Sequence, residues 1–112
     1  MQTCWKNNVT PKAPYFAVIF ISEKNEDLTG YEEMNDKTMQ TALSLSGCFG
    51  YSSVPGTFIS YWDTMESINQ WRQDSLHLKA KEQGKKQWYK YYHSLICKVA
   101  HSHEFFMSSI PS

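Results

Sequence analysis

The sequence lacks a long apolar run, a net charge and a disulfide framework. Spanning a bilayer takes about 20 consecutive apolar residues, and no such run occurs. Eleven basic residues balance eleven acidic ones, which gives no indication of a nucleic acid or an anionic membrane as partner. The N-terminus has no signal-peptide pattern, and three widely spaced cysteines predict free thiols in a reducing compartment. We therefore expect a cytoplasmic protein without a membrane partner.

Sequence motifs for common cofactors and nucleophiles are also missing. There is no phosphate-binding loop, GxGxxG, triad signature or CxxC. That lack fits chemistry without a cofactor and equally fits a protein without chemistry. Aromatic residues, in contrast, make up 15% of the 112 residues. Some of them are expected to line a cavity or a subunit interface, although a core rich in rings is the alternative.

Apolar periodicity and turn signals divide the chain into an arm (1–14), one domain (15–104) and a tail (105–112). Strands are predicted at 15–22, 48–54, 57–62 and 91–103. Two capping boxes predict helix starts, Thr29 with Glu32 and Asp63 with Glu66. The second helix is expected to continue to about Trp88, with a break suggested by Gly84. Its predicted inner stripe comprises Met65, Ile68, Trp71, Ser75 and Leu78.

The resulting β-α-β-β-α-β order predicts an α+β, ferredoxin-like fold, in which two helices cover one face of a four-stranded antiparallel sheet. The first strand, YFAVIFIS, is apolar on both faces, so the second face also needs a cover. A second copy of the sheet is the simplest cover. We therefore predict a homodimer formed through sheet faces.

Three segments carry a resemblance to a known family: SYWDTMESINQWRQDSLHL, GKKQWYKYY and FAVIF. Together they resemble the antibiotic biosynthesis monooxygenase family of dimeric α+β barrels, over most of residues 15–103. The resemblance implies a pocket between sheet and helices in each subunit. It also implies cofactor-independent oxidation of a small aromatic, phenolic or quinol-like compound by O2. Other members degrade haem or have no assigned activity, so a non-catalytic ligand-binding or stress-related dimeric barrel is the alternative.

Haem-degrading members of this family have an Asn in the first strand and a Trp followed ten residues later by a His. Trp71 matches that Trp, but Lys81 occupies the His position and the first strand has no Asn. Haem degradation is therefore not expected. His93, Cys97, His101 and His103 share one face of the last strand, yet no metal motif is complete, so no metal site is predicted.

The predicted catalytic residues are His77, Trp71 and Arg72. His77 is the candidate base because imidazole titrates near neutral pH, but it faces solvent unless the helix kinks near Asp74. Trp71 is equally explained by packing, and Arg72 by a structural ion pair. The predicted substrate-binding residues are Trp62, Tyr61, Phe20, Tyr31 and Trp88. Tyr61 and Trp62 are expected on opposite sheet faces, where Tyr61 could instead belong to the dimer interface.

Overall fold

In the computed structural model of the chain, which describes residues 1–107, five antiparallel strands form one sheet in the order β1-β3-β4-β2-β5. The strands are β1 (Gln2–Trp5), β2 (Tyr15–Lys24), β3 (Cys48–Val54), β4 (Thr57–Trp62) and β5 (Tyr89–Val99). The helices are α1 (Tyr31–Ser44), α2 (Met65–Arg72) and α3 (Ser75–Gln83), and a π-helical turn (Gly84–Trp88) follows α3. The chain is thus α+β, as predicted.

The predicted count of four strands is wrong, because part of the expected N-terminal arm joins the sheet. Gln2–Trp5 pairs with β3 in antiparallel register, which places Trp5 opposite Gly50. Gly50 has φ 143°, and a Cβ there would collide with the main-chain oxygen of Cys4. The missing side chain therefore allows β1 to approach β3. Residues 108–112 of the predicted tail lie outside the described residues.

Neither predicted capping box forms. Gly30, in the left-handed region with φ 82°, is the N-cap of α1, and Thr29 bonds to the side chain of Asp27 instead. In α2 the N-cap is Thr64, one residue after the predicted Asp63. The Thr64 hydroxyl accepts a hydrogen bond from the Ser67 main-chain N–H at 3.1 Å, which satisfies one of the free donors of the first turn.

The second helical segment is broken rather than continuous. α2 ends at Arg72 and α3 begins at Ser75. The Asp74 carboxylate accepts from the main-chain N–H of His77 at 3.4 Å, the N-cap pattern that starts α3. Because of the break, α3 does not continue the helical periodicity of α2. The predicted single buried stripe is therefore only partly right. Ile68 and Trp71 are buried, whereas Met65 and Leu78 are exposed, and the side chain of Ser75 lies outside the described residues.

The inner face of the sheet, on the side of the helices, holds the core. Val18, Trp62, Ile68 and Trp71 pack there with Ala42 and Cys48.

The last strand ends at Val99, four residues earlier than predicted. Among the described residues, no helix is long and apolar enough to cross a membrane.

The outer face, opposite the helices, carries an apolar row that the described part of the chain leaves half-exposed. Ile19 pairs with Ile59 on one side and Leu95 on the other, so these three side chains share that face. Ile21, two residues along, is 40% exposed. The first strand is therefore apolar on both faces, as the sequence indicated, but the chain itself covers only part of the outer one.

Candidate functional site

Three of the predicted site residues form one continuous stack at the α2–α3 break. Trp62 at the end of β4 stacks on Trp71 of α2 with ring centroids 5.1 Å apart. Trp71 in turn stacks on His77 of α3, with centroids 4.2 Å apart and planes 15° from parallel. Trp62 is fully buried, Trp71 is nearly so, and His77 is half-buried at the outer end. The break, rather than a continuous helix, brings His77 inward.

A single hydrogen bond determines the chemistry of His77. Its Nδ1 lies 3.1 Å from the main-chain oxygen of Trp71. A carbonyl oxygen only accepts, so Nδ1 must carry the proton, and in the neutral ring Nε2 keeps its lone pair. Burial lowers the pKa of His77 below its ordinary value, although the bond to Trp71 opposes that shift. His77 is therefore neutral near pH 7, with Nε2 as its basic atom.

Trp71 contributes a buried polar group to the same place. Its side chain is 6% exposed, and its indole Nε1–H has no hydrogen-bond partner among the described residues. Leaving such a donor unpaired costs about 1–3 kcal/mol. Trp62, in contrast, donates its Nε1–H to the Ser60 hydroxyl at 2.8 Å. The stack therefore holds one buried donor without a partner among the described residues and one basic imidazole nitrogen.

Two predicted site residues lie apart from this stack. Arg72 ends α2 and is exposed. Tyr61 lies on the outer face, where its ring packs on Trp5 at 4.7 Å and its hydroxyl bonds to Ser52 at 2.7 Å. Tyr61 and Trp62 therefore point to opposite faces, as predicted, and Tyr61 does not meet the other candidates.

The remaining three candidates form a second aromatic cluster at the other end of the helix layer. Tyr31 of α1 meets Trp88 edge-on at 5.6 Å. Phe20 of β2 joins them through Tyr89, which contacts Phe20 at 5.3 Å and Tyr31 at 6.2 Å. Burial raises the pKa of Tyr89, so its hydroxyl stays protonated. We did not predict Tyr89, although it directly follows Trp88 in the aromatic run WYKYY.

Two open grooves flank this second cluster. One, of about 500 Å³, lies between α1 and α3 and has Trp88 in its lining. The other, of about 440 Å³, lies beside Lys24 and Tyr31. Neither groove is lined by Trp62, Trp71 or His77. Within residues 1–107, no group of three His, Cys, Asp or Glu side chains could hold a metal ion.

Sequence comparison places the chain beside one bacterial protein. It is 42% identical over 95 residues to the uncharacterized protein YqjZ of Bacillus subtilis, covering 80% of this chain and 83% of YqjZ. The chain belongs to the YqjZ family. No family profile matches the sequence. Because YqjZ is itself described as uncharacterized, the relationship does not supply a reaction.

Solved structures of similar fold provide the second comparison. A protein titled "Putative antibiotic biosynthesis monooxygenase from Nitrosomonas europaea" has a TM-score of 0.61 at 12% identity, covering 81% of this chain and 94% of that one. A Deinococcus radiodurans protein of the same description gives 0.64 at 14%, covering 83% and 99%. Protein SO0527 of Shewanella oneidensis gives 0.68 at 9%, covering 80% and 94%. At these identities the YqjZ family member shares their fold, and the likeness shows no more.

Proposed function

We propose that this member of the YqjZ family is a cofactor-independent monooxygenase that oxidises a small aromatic, phenolic or quinol-like compound with O2. The observation that carries the proposal is the hydrogen bond from His77 Nδ1 to the Trp71 oxygen, because it leaves Nε2 as a base. The monooxygenase descriptions of proteins with this fold support it only coarsely.

In the proposed reaction, the substrate lies against the outer side of His77. Nε2 removes a proton from an activated ring position, and the resulting anion is electron-rich enough to reduce O2. For a ring CH2 flanked by two aryl groups, one oxygen atom becomes a new carbonyl. The other leaves as water with both hydrogens of that CH2, so the substrate supplies all four electrons that reduce O2. Trp71 is proposed to hold the plane of the imidazole by stacking on it.

Exposed Arg72, beside the break, is proposed to attract the substrate anion. Trp62 stacks on the Trp71 ring and is proposed to hold that ring in place. We propose no contact with this substrate for Tyr61, which lies on the outer sheet face. Phe20, Tyr31 and Trp88 belong to the second cluster, away from His77.

We further propose that two copies pair through their outer sheet faces. The row of Ile19, Ile59 and Leu95 is half-exposed in the single chain, and Ile21 continues it. Burying such apolar surface stabilises association by about 25 cal/mol per Å² before the cost of lost freedom is counted. We also propose a cytoplasmic location, which the free thiols of Cys4, Cys48 and Cys97 support.

The proposal is tested by oxygen uptake with a panel of hydroquinones and anthrone. The wild type should consume O2 with at least one substrate, and His77→Gln should lose about 100-fold or more of that rate. His101→Gln, which changes an exposed histidine just after β5, is the matched control and should keep full activity. Equal uptake by the wild type and His77→Gln would rule out His77 as the base.

A ligand-binding role without chemistry is the second candidate. His77 lines neither groove, as expected if binding rather than base catalysis is what the fold provides. Absence of oxygen uptake across the panel, together with measurable binding of an aromatic ligand, would favour this role.

A further inference from the structure

The groove between α1 and α3 has features of a binding site that the proposed reaction does not use. Its volume of about 500 Å³ is within the range of roughly 300–1,000 Å³ typical of small-molecule sites. Residues of both helices line it, and Lys86 and Trp88 of the π-helical turn also belong to the lining. Such π-helical turns are frequent at functional sites. The groove is independent of His77, so it does not depend on the proposed oxidation.

One wall of the groove includes the narrow edge of a fixed aromatic ring. Trp88 is only 4% exposed, and its Nε1–H donates to the Thr29 oxygen at 3.0 Å. Gly30, with φ 82°, has no side chain, and a Cβ there would lie 3.8 Å from Trp88 Cζ2. Gly30 therefore places no side chain against the narrow part of the Trp88 ring that reaches the groove. Met34, a flexible apolar residue, is also part of the lining.

Hydrogen bonds from the preceding loop hold this wall in place. Asn25 donates its main-chain N–H to the Trp88 oxygen at 2.8 Å and its side-chain N–H to the Gln87 oxygen at 2.7 Å. The Gln83 side chain bonds to that of Gln87 within the same turn. Binding a ligand there requires little new ordering of the backbone, because these bonds already tie the turn to the loop.

The charged rim of the groove has one positive charge in excess. Lys37 pairs with Glu33 and Lys86 with Glu82, each at 3.0 Å along its own helix. Lys79 also lines the groove but has no ion-pair partner among residues 1–107. The lining therefore contains three lysines and two glutamates. A ligand with one negative charge would neutralise the remaining positive charge.

We propose that this groove binds a small planar aromatic carboxylate. The ring lies against Trp88 and Met34, and the carboxylate pairs with Lys79. A monoanion fits because one lysine is unpaired, whereas a dianion would have to compete with Glu33 or Glu82 for its lysine. A flat ring fits because Gly30 has no side chain between the groove and the narrow exposed edge of Trp88.

The experiment titrates the full chain with 2-naphthoate and follows the backbone amides and indole N–H groups by NMR. The expected shifts are at Gly30, Lys79 and the Trp88 indole, without change at the Trp71 indole. The neutral analogue 2-naphthalenemethanol should bind about tenfold more weakly, because it lacks the charge-assisted contact. Shifts centred on Trp71 and His77, or equal affinity for both compounds, would overturn the assignment.

Two variants, each lacking one lysine charge, distinguish binding in the groove from general attraction of the anion to surface lysines. Lys79→Gln should raise the dissociation constant for 2-naphthoate by about five- to tenfold. Lys85→Gln removes an exposed lysine of the adjacent turn that does not line the groove, and should change it by less than about twofold. An equal effect of both variants, or no effect of Lys79→Gln, would contradict the proposal. Circular dichroism of each variant verifies that the fold is retained.

Discussion

His77 and Trp71 are joined twice, by their rings and by a backbone contact. The imidazole lies 15° from parallel to the indole, with centroids 4.2 Å apart, and its Nδ1 bonds to the main-chain oxygen of the same tryptophan at 3.1 Å. The stack fixes the plane of the imidazole, and the hydrogen bond fixes its rotation and its tautomer. A side chain held in both ways presents Nε2 in one orientation, as a general base requires.

The first prediction concerns the pKa of His77, which burial holds below its ordinary value of 6.5. The unfolded state then binds more protons than the folded state between the folded pKa and about 6.5. Stability is therefore full above pH 6.5 and declines as the pH falls toward the folded pKa. Arg72, Lys81 and Asp74 also act on this imidazole, the two cations lowering its pKa and the carboxylate raising it.

NMR titration of the His77 ring, combined with urea unfolding at several pH values, tests this prediction. The His77→Gln variant should lack the decline in stability between pH 6.5 and the folded pKa of His77. A His77 pKa at or above 6.5 would contradict the described burial.

The second prediction concerns Trp71, which packs between Trp62 and His77. Trp71→Ala should lower the free energy of unfolding by about 3–5 kcal/mol, because it removes a buried indole and leaves a cavity. Trp71→Phe keeps a ring in the stack and removes the unpaired N–H, so it should cost less than half as much. Urea unfolding measures both. Equal losses would show that the stacked ring contributes little.

The third prediction distinguishes two neighbouring residues at the start of α2. Thr64→Ala should destabilise the protein by about 1 kcal/mol, because the hydroxyl that caps Ser67 N–H is lost. Asp63→Ala should cost clearly less, because Asp63 precedes the cap. Thermal or urea unfolding of the two variants decides between them. A larger loss of stability for Asp63→Ala than for Thr64→Ala would show that Asp63 is the N-cap, as the sequence pattern predicted.

Local sequence patterns predict some elements of this fold better than others. The turn residues Pro55-Gly56, between the strands predicted at 48–54 and 57–62, correctly predicted the hairpin of β3 and β4. The cap residues were less predictable. Thr64 and Asp63 are both good N-cap types, and only the path of the chain after Trp62 decides which one takes the position.

The candidate site depended on a break that helical periodicity does not reveal. Counting at 100° per residue from Ile68 placed His77 on the solvent side, which holds only for one unbroken helix. Asp74 was the available signal, because an Asp three residues before His77 is an N-cap pattern for a new helix. β1 was missed for another reason: Gln2–Trp5 is too short to show a period, and its place depends on Gly50 in a distant strand.

The fourth prediction concerns the outer face of the sheet. Light scattering should give a mass of twice 13.1 kDa for the wild type. Leu95→Glu, which places a charge in the apolar row, should shift the protein to a monomer. Ser94→Glu is the matched control, since Ser94 is exposed on the opposite face of the same strand and should remain dimeric. A wild-type mass of 13.1 kDa at micromolar concentration would exclude this dimer.

The central claim, that His77 presents a basic Nε2, is tested most directly by its tautomer. A long-range ¹H–¹⁵N spectrum of the ¹⁵N-labelled protein at pH 7.5 distinguishes a protonated ring nitrogen from a bare one. We expect Nδ1 to carry the proton, as its bond to the Trp71 oxygen requires, and Nε2 to be bare. A His77 protonated on Nε2, whether as the other neutral tautomer or as the imidazolium ion, would contradict the account.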